Sequence, residues 1–400
     1  LLKKIVKASG YFILIFVILL FVIPNVFNER EEASFSDEKR LDFARSVDPE
    51  QDSISLPISQ FYNRGELVRT LFGDHYRDLW SLPITIPVFK GFDSLTFHHI
   101  GGGMQTTSVE FETESGEHYS FRSVDKNPKG VLPTVWQYSG VRTLVRDQTS
   151  AINPFATDVV GQLTKVIGVH YKEPVFVFVP MSDQVSDSVN YTMAGRVMML
   201  EKEFDGSWEE NSFLGAPEYV WDTEDLIEGS AKHTLRIDTL QFLKCRMFDF
   251  MISDWDRHEG QWKWLAYNKG DYYDVKAVPV DRDMALCRYD DGLANSVIIP
   301  LTKRCKSFRN SKEQAIKITE KISDLDYQLL ADVEEKQYLQ TAQELDRLFT
   351  EEVVSAAFSH YRKEVSQEFV EEQTATFMGR KKYLNDMARS FYIHIQNYSE

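Results

Sequence analysis

Residues 248–262 constrain this chain more than any other stretch. An apolar helical run ending in Phe248, Asp249, Phe250, Met251 and Ile252 breaks into a polar loop through Asp254, Trp255, Asp256, Arg257, His258 and Gln261. A strand-like segment, 262–267, follows it. Further on, a second apolar run, Ala277, Val278, Pro279 and Val280, delivers Asp281, Arg282 and Asp283. Two carboxylate-bearing loops, each launched from an apolar segment, commonly build a site for a divalent cation and a nucleotide phosphate. Hard cations take oxygen ligands, and phosphoryl transfer needs positioning and charge neutralisation more than covalent chemistry.

Composition narrows the partners. The 400 residues suffice for one large bilobal domain or two smaller ones. A net charge of -16 argues against nucleic acid, whose phosphates demand a basic footprint. Cys245, Cys287 and Cys305 lie far apart without zinc spacing and give no disulfide framework, although a single bond remains open. Metal chemistry therefore rests on carboxylates.

At the N-terminus, Lys3, Lys4 and Lys7 precede an unbroken apolar run, 11–23, that continues weakly to Phe27. It approaches the roughly 17 residues of a short membrane span, with a signal-peptide core or a buried helix as alternatives. Residues 1–27 are thus expected to be a membrane anchor or signal-like segment. The lysine bias favours a cytoplasmic N-terminus and an extracytoplasmic, periplasmic body. Residues 28–54 read as a charged linker.

From residue 55 the pattern is globular. Residues 65–80 suggest an amphipathic helix with a polar interruption. Short alternating runs around Gly101, Gly102 and Gly103, and around Ser115 and Gly116, read as an antiparallel hairpin set. Consecutive glycines permit positive φ and close approach of backbone N–H groups to an anion, although most glycine turns are only turns. Lys126 falls where the next strand ends, within reach of phosphates held under that turn. His98 and His99 are adjacent on a strand; alternation sends them to opposite faces, against a shared metal site. A helix is expected over 147–169, strands over 174–180 and 195–204, and a polar connection over 205–229. Helices then follow over 234–252, 312–322, 335–349, 351–370 and 377–395. Internal repeats and low-complexity segments are absent from the sequence.

Taken in order, these segments resemble the atypical branches of the protein-kinase-like superfamily, including the HipA-type, spore-coat CotH, secretory-pathway and phosphoinositide kinases. Four segments (72–80, 101–106, 122–126 and 254–258) look more like a domain of Bacteroidetes envelope proteins, where it accompanies a calcineurin-like phosphoesterase and an outer-membrane barrel. The resemblance covers roughly residues 55–397. It implies an α+β, bilobal, kinase-like fold: an antiparallel-sheet N-lobe over 55–204 and a mainly helical C-lobe over 205–400, behind the membrane helix. ATP would be the phosphate donor and Mg2+ or Mn2+ the cofactor, with an unknown protein or small-molecule hydroxyl as acceptor.

The resemblance also implies roles. Asp256, with Arg257 and His258, would form the catalytic loop; Asp281, with Asp283 competing, would chelate the metal. Lys126 would neutralise phosphates beneath Gly101, Gly102 and Gly103. Met199, Leu200 and Glu201 would present backbone groups to adenine. Gln261 stands where such loops carry Asn or His as second metal ligand. The lysine's usual glutamate partner is not evident, with Asp147 and Asp158 as substitutes. A nucleotide-binding pseudokinase-like module and a metal-dependent hydrolase are the alternatives.

Overall fold

A computed structural model describes residues 7, 9–15, 17–18, 37–102, 105–134, 137, 140–206, 214–296 and 306–398. The fold is mixed α+β. Among the described residues no helix is long and apolar enough to cross a membrane, against the expected N-terminal membrane helix, of which residues 16 and 19–27 lie outside the described residues. Most of the expected linker's latter part is folded: α1 (Asp37–Ser46) and the start of β1 (Ser53–Leu56) lie within it. Arg40 of α1 donates to Tyr191 O at 2.8 Å and pairs with Asp37 at 2.9 Å.

Strand β1 pairs antiparallel with β2 (Ile84–Pro87). Between them the expected helix splits into α2 (Glu66–Phe72) and α3 (Arg77–Ser81). Gly73 separates the two with φ 101, a value that L side chains avoid. The main sheet runs β3 (Leu95–Gly101), β4 (Ser108–Thr113), β5 (Glu117–Ser123), then β7 (Val197–Gly206) and finally β6 (Val175–Phe178) at the far edge. The chain between β5 and β6 forms α4 (Gly140–Asp147), a 3-10 turn, and α5 (Ala156–Val166). Pro154 explains why 147–169 is not one helix: it lacks an N–H, and it pushes the preceding residue out of the α region. The helix α6 (Asp187–Met193) connects β6 to β7 and is capped by Ser186.

Strand alternation gives this sheet two faces. Val109, Phe111, Phe121, Val177 and Met198 pack with Phe92 and with Val189 and Met193 of α6. Phe176, Phe178, Val197 and Met199 pack on the opposite side with Val159, Val160 and Leu163 of α5, in a core continuous with Phe242, Phe248 and Trp262.

The second half is less helical than expected. A four-stranded sheet orders as β8 (Tyr219–Trp221), β10 (Trp262–Asn268), β11 (Tyr273–Pro279) and β9 (Leu235–Ile237). Helices α7 (Thr223–Lys232) and α8 (Thr239–Met251) precede β10. Residues 205–229, expected as a connection, thus contain β8 and most of α7, whose start is fixed by an Asp222–Asp225 capping box. The rest is helical: α9 (Lys312–Lys317), α10 (Asp324–Leu330), α11 (Glu335–Leu348), α12 (Glu351–Phe358), α13 (Gln367–Lys381) and α14 (Leu384–Gln396). Ser366 caps α13, so the helix expected over 351–370 is two.

Candidate functional site

The loop that follows α8 is held by buried charge. Arg380, fully buried, donates to the C-terminal carbonyls of α8, Met251 O at 2.8 Å and Phe250 O at 2.6 Å. These acceptors have no partner within the helix. Ser253 then turns the chain with φ 58. Asp249, fully buried, accepts from Arg257 at 3.0 Å, Arg282 at 3.0 Å and Arg246 at 3.2 Å. Burial opposes its ionisation, yet the three guanidinium groups hold its carboxyl below the usual range.

Arg257, placed in the catalytic loop by its motif, is a strut. It reaches Asp254 at 2.6 Å, Gln261 O at 3.1 Å and Val280 O at 2.5 Å, and is buried. It therefore ties the loop after α8 to the end of β11, where Asp281 begins. Asp256 and His258, flanking it, are exposed into the space above.

That space is a cavity of about 890 Å3, lined by Gln105, Thr106, Arg122, Lys126, Trp255, Asp256, His258, Gln261, Asp281 and Asp283, among others. Its volume is that of a ligand site. Lys126 Nζ lies 2.9 Å from Asp283, and Arg122 lies 3.0 Å from Asp281 and 3.7 Å from Asp283. Two cations from one half of the chain thus meet two carboxylates from the other. Burial works against the Asp283 carboxylate, but Lys126 and Arg122 outweigh it and hold its pKa far below the usual range. Asp256 shifts the other way: enclosure by the walls raises it, Asp281 adds, and His258 and Lys126 offset part of the rise. Asp281 holds φ 55, and a non-glycine residue in that region costs of order 1 kcal/mol.

Asp147 and Asp158 do not serve Lys126. Asp147 binds Arg77 at 2.6 Å and Asp158 binds Arg362 at 2.9 Å. The lysine's carboxylate partner is Asp283. Gln261 accepts from His258 N at 3.4 Å through its side-chain oxygen, and its main chain is fixed to Val280 N at 3.0 Å. Gln261 is among the residues that line the cavity.

The glycine turn is brought beside Lys126 by its return limb. Gln105 O accepts from Asn127 N at 2.9 Å, and Thr107 O accepts from Ser123 N at 2.8 Å. Gly101 closes β3 opposite Ser108. Gly102 has φ 127, and a Cβ there would stand 2.3 Å from Thr106 O, so the chain crosses itself at a distance only glycine allows. Gly103 lies outside the described residues.

Met199, Leu200 and Glu201, expected to face adenine, lie where β7 passes from two strand neighbours to one. They sit inside β7, and Leu200 is paired to Phe121 on one side and Val175 on the other. Glu201 pairs with Ser120 of β5 alone, because β6 ends beside Leu200. Glu201 turns a buried side chain toward Lys172 at 3.5 Å and Arg122 at 3.9 Å. Burial raises its pKa against those two cations.

Arg122 is the site residue that sequence reasoning missed. Its signal was position: it is the cation inside β5, between the inward-facing Phe121 and Ser123, whereas Lys126 follows the strand. The 3-10 turn Glu259–Gln261 is capped by His258 Nδ1, which accepts from Gly260 N at 3.2 Å.

No protein-family model matches the chain, and no curated protein matches it in sequence. Among solved structures it is similar to the crystal structure of a Helicobacter pylori proinflammatory kinase, CtkA, with 14% identity, 72% of this chain and 94% of that chain covered, and a TM-score of 0.38. At that level of likeness the chemistry of the site has to come from this chain's own residues.

Proposed function

We propose that this chain is a kinase-like phosphotransferase, using a divalent metal and ATP to phosphorylate a hydroxyl acceptor. One observation carries the proposal. Lys126 and Arg122, from the antiparallel sheet, meet Asp283 and Asp281, from the end of β11, on the wall of a cavity that Asp256 also faces. Cations that neutralise phosphate oxygens, carboxylates that hold a metal, and a third carboxylate with a raised pKa are the parts that phosphoryl transfer uses. The sheet supports the same reading. Its order places the helical segment α4–α5 between the third and fourth strands in sequence, with the glycine turn joining the first and second.

In this reading Asp281 and Asp283 are the metal ligands, and Gln261 offers its side-chain oxygen as a further one. Lys126 and Arg122 exchange carboxylate for phosphate when nucleotide enters. Asp256 orients the acceptor hydroxyl and receives its proton. Mg2+ or Mn2+ would supply charge neutralisation between the phosphates; octahedral oxygen coordination suits this donor set.

A second reading is favoured by the closed ion pairs and by the engagement of Gln261 with His258 N: a pseudokinase-like module that binds nucleotide without turnover. Incubating the protein with labelled ATP and Mg2+ or Mn2+ separates the two. Label transfer that disappears in Asp281→Ala and Asp256→Asn supports the phosphotransferase. Nucleotide-dependent thermal stabilisation without transfer supports the binding module. Phosphate release with no labelled acceptor points to hydrolysis, and absence of any nucleotide effect overturns both proposals.

A further inference from the structure

The histidine pair beside the glycine turn takes no part in the cavity, yet its geometry departs from what strand alternation requires. The β3–β4 register breaks between Phe97 and His99: Phe97 stands opposite Phe111, and His99 stands opposite Glu110. His98 is therefore the extra residue of a β-bulge. Bulges re-aim side chains, and here two consecutive ones reach the same place. The Nδ1 atoms of His98 and His99 lie 3.2 Å apart, and His99 Nδ1 is 3.4 Å from a Glu110 carboxylate oxygen. One ligand atom from each of the three residues lies within 4.8 Å of the others. The expectation that these histidines cannot share a site is thus reversed by one inserted residue.

We propose that His98, His99 and Glu110 form a binding site for Zn2+ or a similar imidazole-preferring divalent transition metal, with water completing its coordination. Ligand bonds of about 2.0–2.2 Å in a tetrahedron set donor atoms a little over 3 Å apart. The present spacing is close to that, and the remaining adjustment falls on side chains that are exposed or half-buried. Two imidazoles and one carboxylate are a donor set that zinc uses, whereas Mg2+ and Ca2+ prefer oxygen throughout. The protein therefore offers two chemically distinct metal environments: carboxylates in the cavity and imidazoles on the sheet.

Two further features fit the assignment. The His118 ring, on β5, stands 5.3 Å from the His98 ring, so a third imidazole borders the site. The His99 ring also lies against Gly101, where a Cβ would meet its Nε2 at 3.1 Å. A metal held here would fasten β3 to β4 at the point where the glycine turn departs.

The test is a calorimetric titration of the full chain, stripped with chelator and then dialysed, with Zn2+ alone. Four proteins are compared: the parent, His98→Ala/His99→Ala, Glu110→Gln, and Asp281→Ala. The parent is expected to bind one equivalent that excess Mg2+ does not displace. Glu110→Gln should weaken it by about tenfold or more, and the double histidine variant should lose it. Asp281→Ala should keep it, because the cavity is a separate site. The proposal is overturned if the parent takes up no Zn2+, if the equivalent survives in the double variant, if Mg2+ displaces it, or if it vanishes with Asp281→Ala. All three site residues lie at the surface of the sheet, and far-ultraviolet circular dichroism of each variant checks that the fold is kept.

Discussion

Asp283 and Arg257, opposite in charge, do different work. Asp283 faces the cavity and is held ionised by Lys126 and Arg122, against burial. Its folded pKa lies below the unfolded value of about 3.9. The stabilisation it gives is therefore present above about pH 4 and is lost as pH falls through the folded value. Asp283→Asn should flatten the loss of urea resistance between about pH 5 and pH 2 relative to the parent, as read from unfolding midpoints. Arg257 is buried among Asp249 and Asp254 and touches loop carbonyls at both ends. Arg257→Ala leaves two buried carboxylates short of a partner and should destabilise the protein by about 3–5 kcal/mol in urea unfolding. Asp256 is different again. Among the described residues it makes no ion pair, so Asp256→Asn should abolish phosphate transfer while leaving the unfolding midpoint within about 0.5 kcal/mol of the parent. Because enclosure raises its pKa, the acidic limb of the rate–pH profile should lie above about pH 4.

Among the elements, the glycine turn and the hairpin it joins matter most. Only glycine fits at 102, where φ is 127 and Thr106 O would crowd a Cβ at 2.3 Å. Gly102→Ala should lower the melting temperature and weaken nucleotide-dependent stabilisation more than a substitution in the Ser115–Gly116 turn, which stands away from the cavity. Differential scanning fluorimetry with and without Mg-ATP measures both effects. Strand β7 teaches the opposite lesson. Its continuous apolar run, Val197 to Leu200, was easy to assign as a strand. Beside it, β5 and β6 flank Met198 to Leu200, and β5 alone continues beside Glu201. Which edge of a strand is free is a property of the sheet, and a single segment carries no mark of it.

For the whole molecule, the two halves meet through oppositely charged groups. Lys126 and Arg122 come from one half, Asp281 and Asp283 from the other, and the apolar core beneath them runs through both. A nucleotide–metal complex inserted at that junction contacts both halves and should stabilise them together. At a hundred times its dissociation constant the gain is about 2.7 kcal/mol. Chemical denaturation with saturating Mg-ATP, compared with Mg2+ alone, gives the value, and Lys126→Ala should reduce it.

The local patterns in the chain carried a good deal by themselves. The alternating runs up to residue 204 and the apolar stripes of 335–395 specify strands and helices because each records how a side chain repeats against a core. The loops at 254–261 and 281–283 were legible for the same reason: charged residues interrupt apolar segments there, and a globular chain keeps such interruptions only where they are solvated, paired or used. Tertiary structure decided the pairings. Asp283, not a helix carboxylate, meets Lys126; Arg257 braces the loop; Arg122 enters the cavity; and a one-residue bulge brings His98 beside His99. Each of these depends on the register between strands or on contacts between residues far apart in the chain. Such contacts are set by the packing of the whole core, and no local window of sequence contains them.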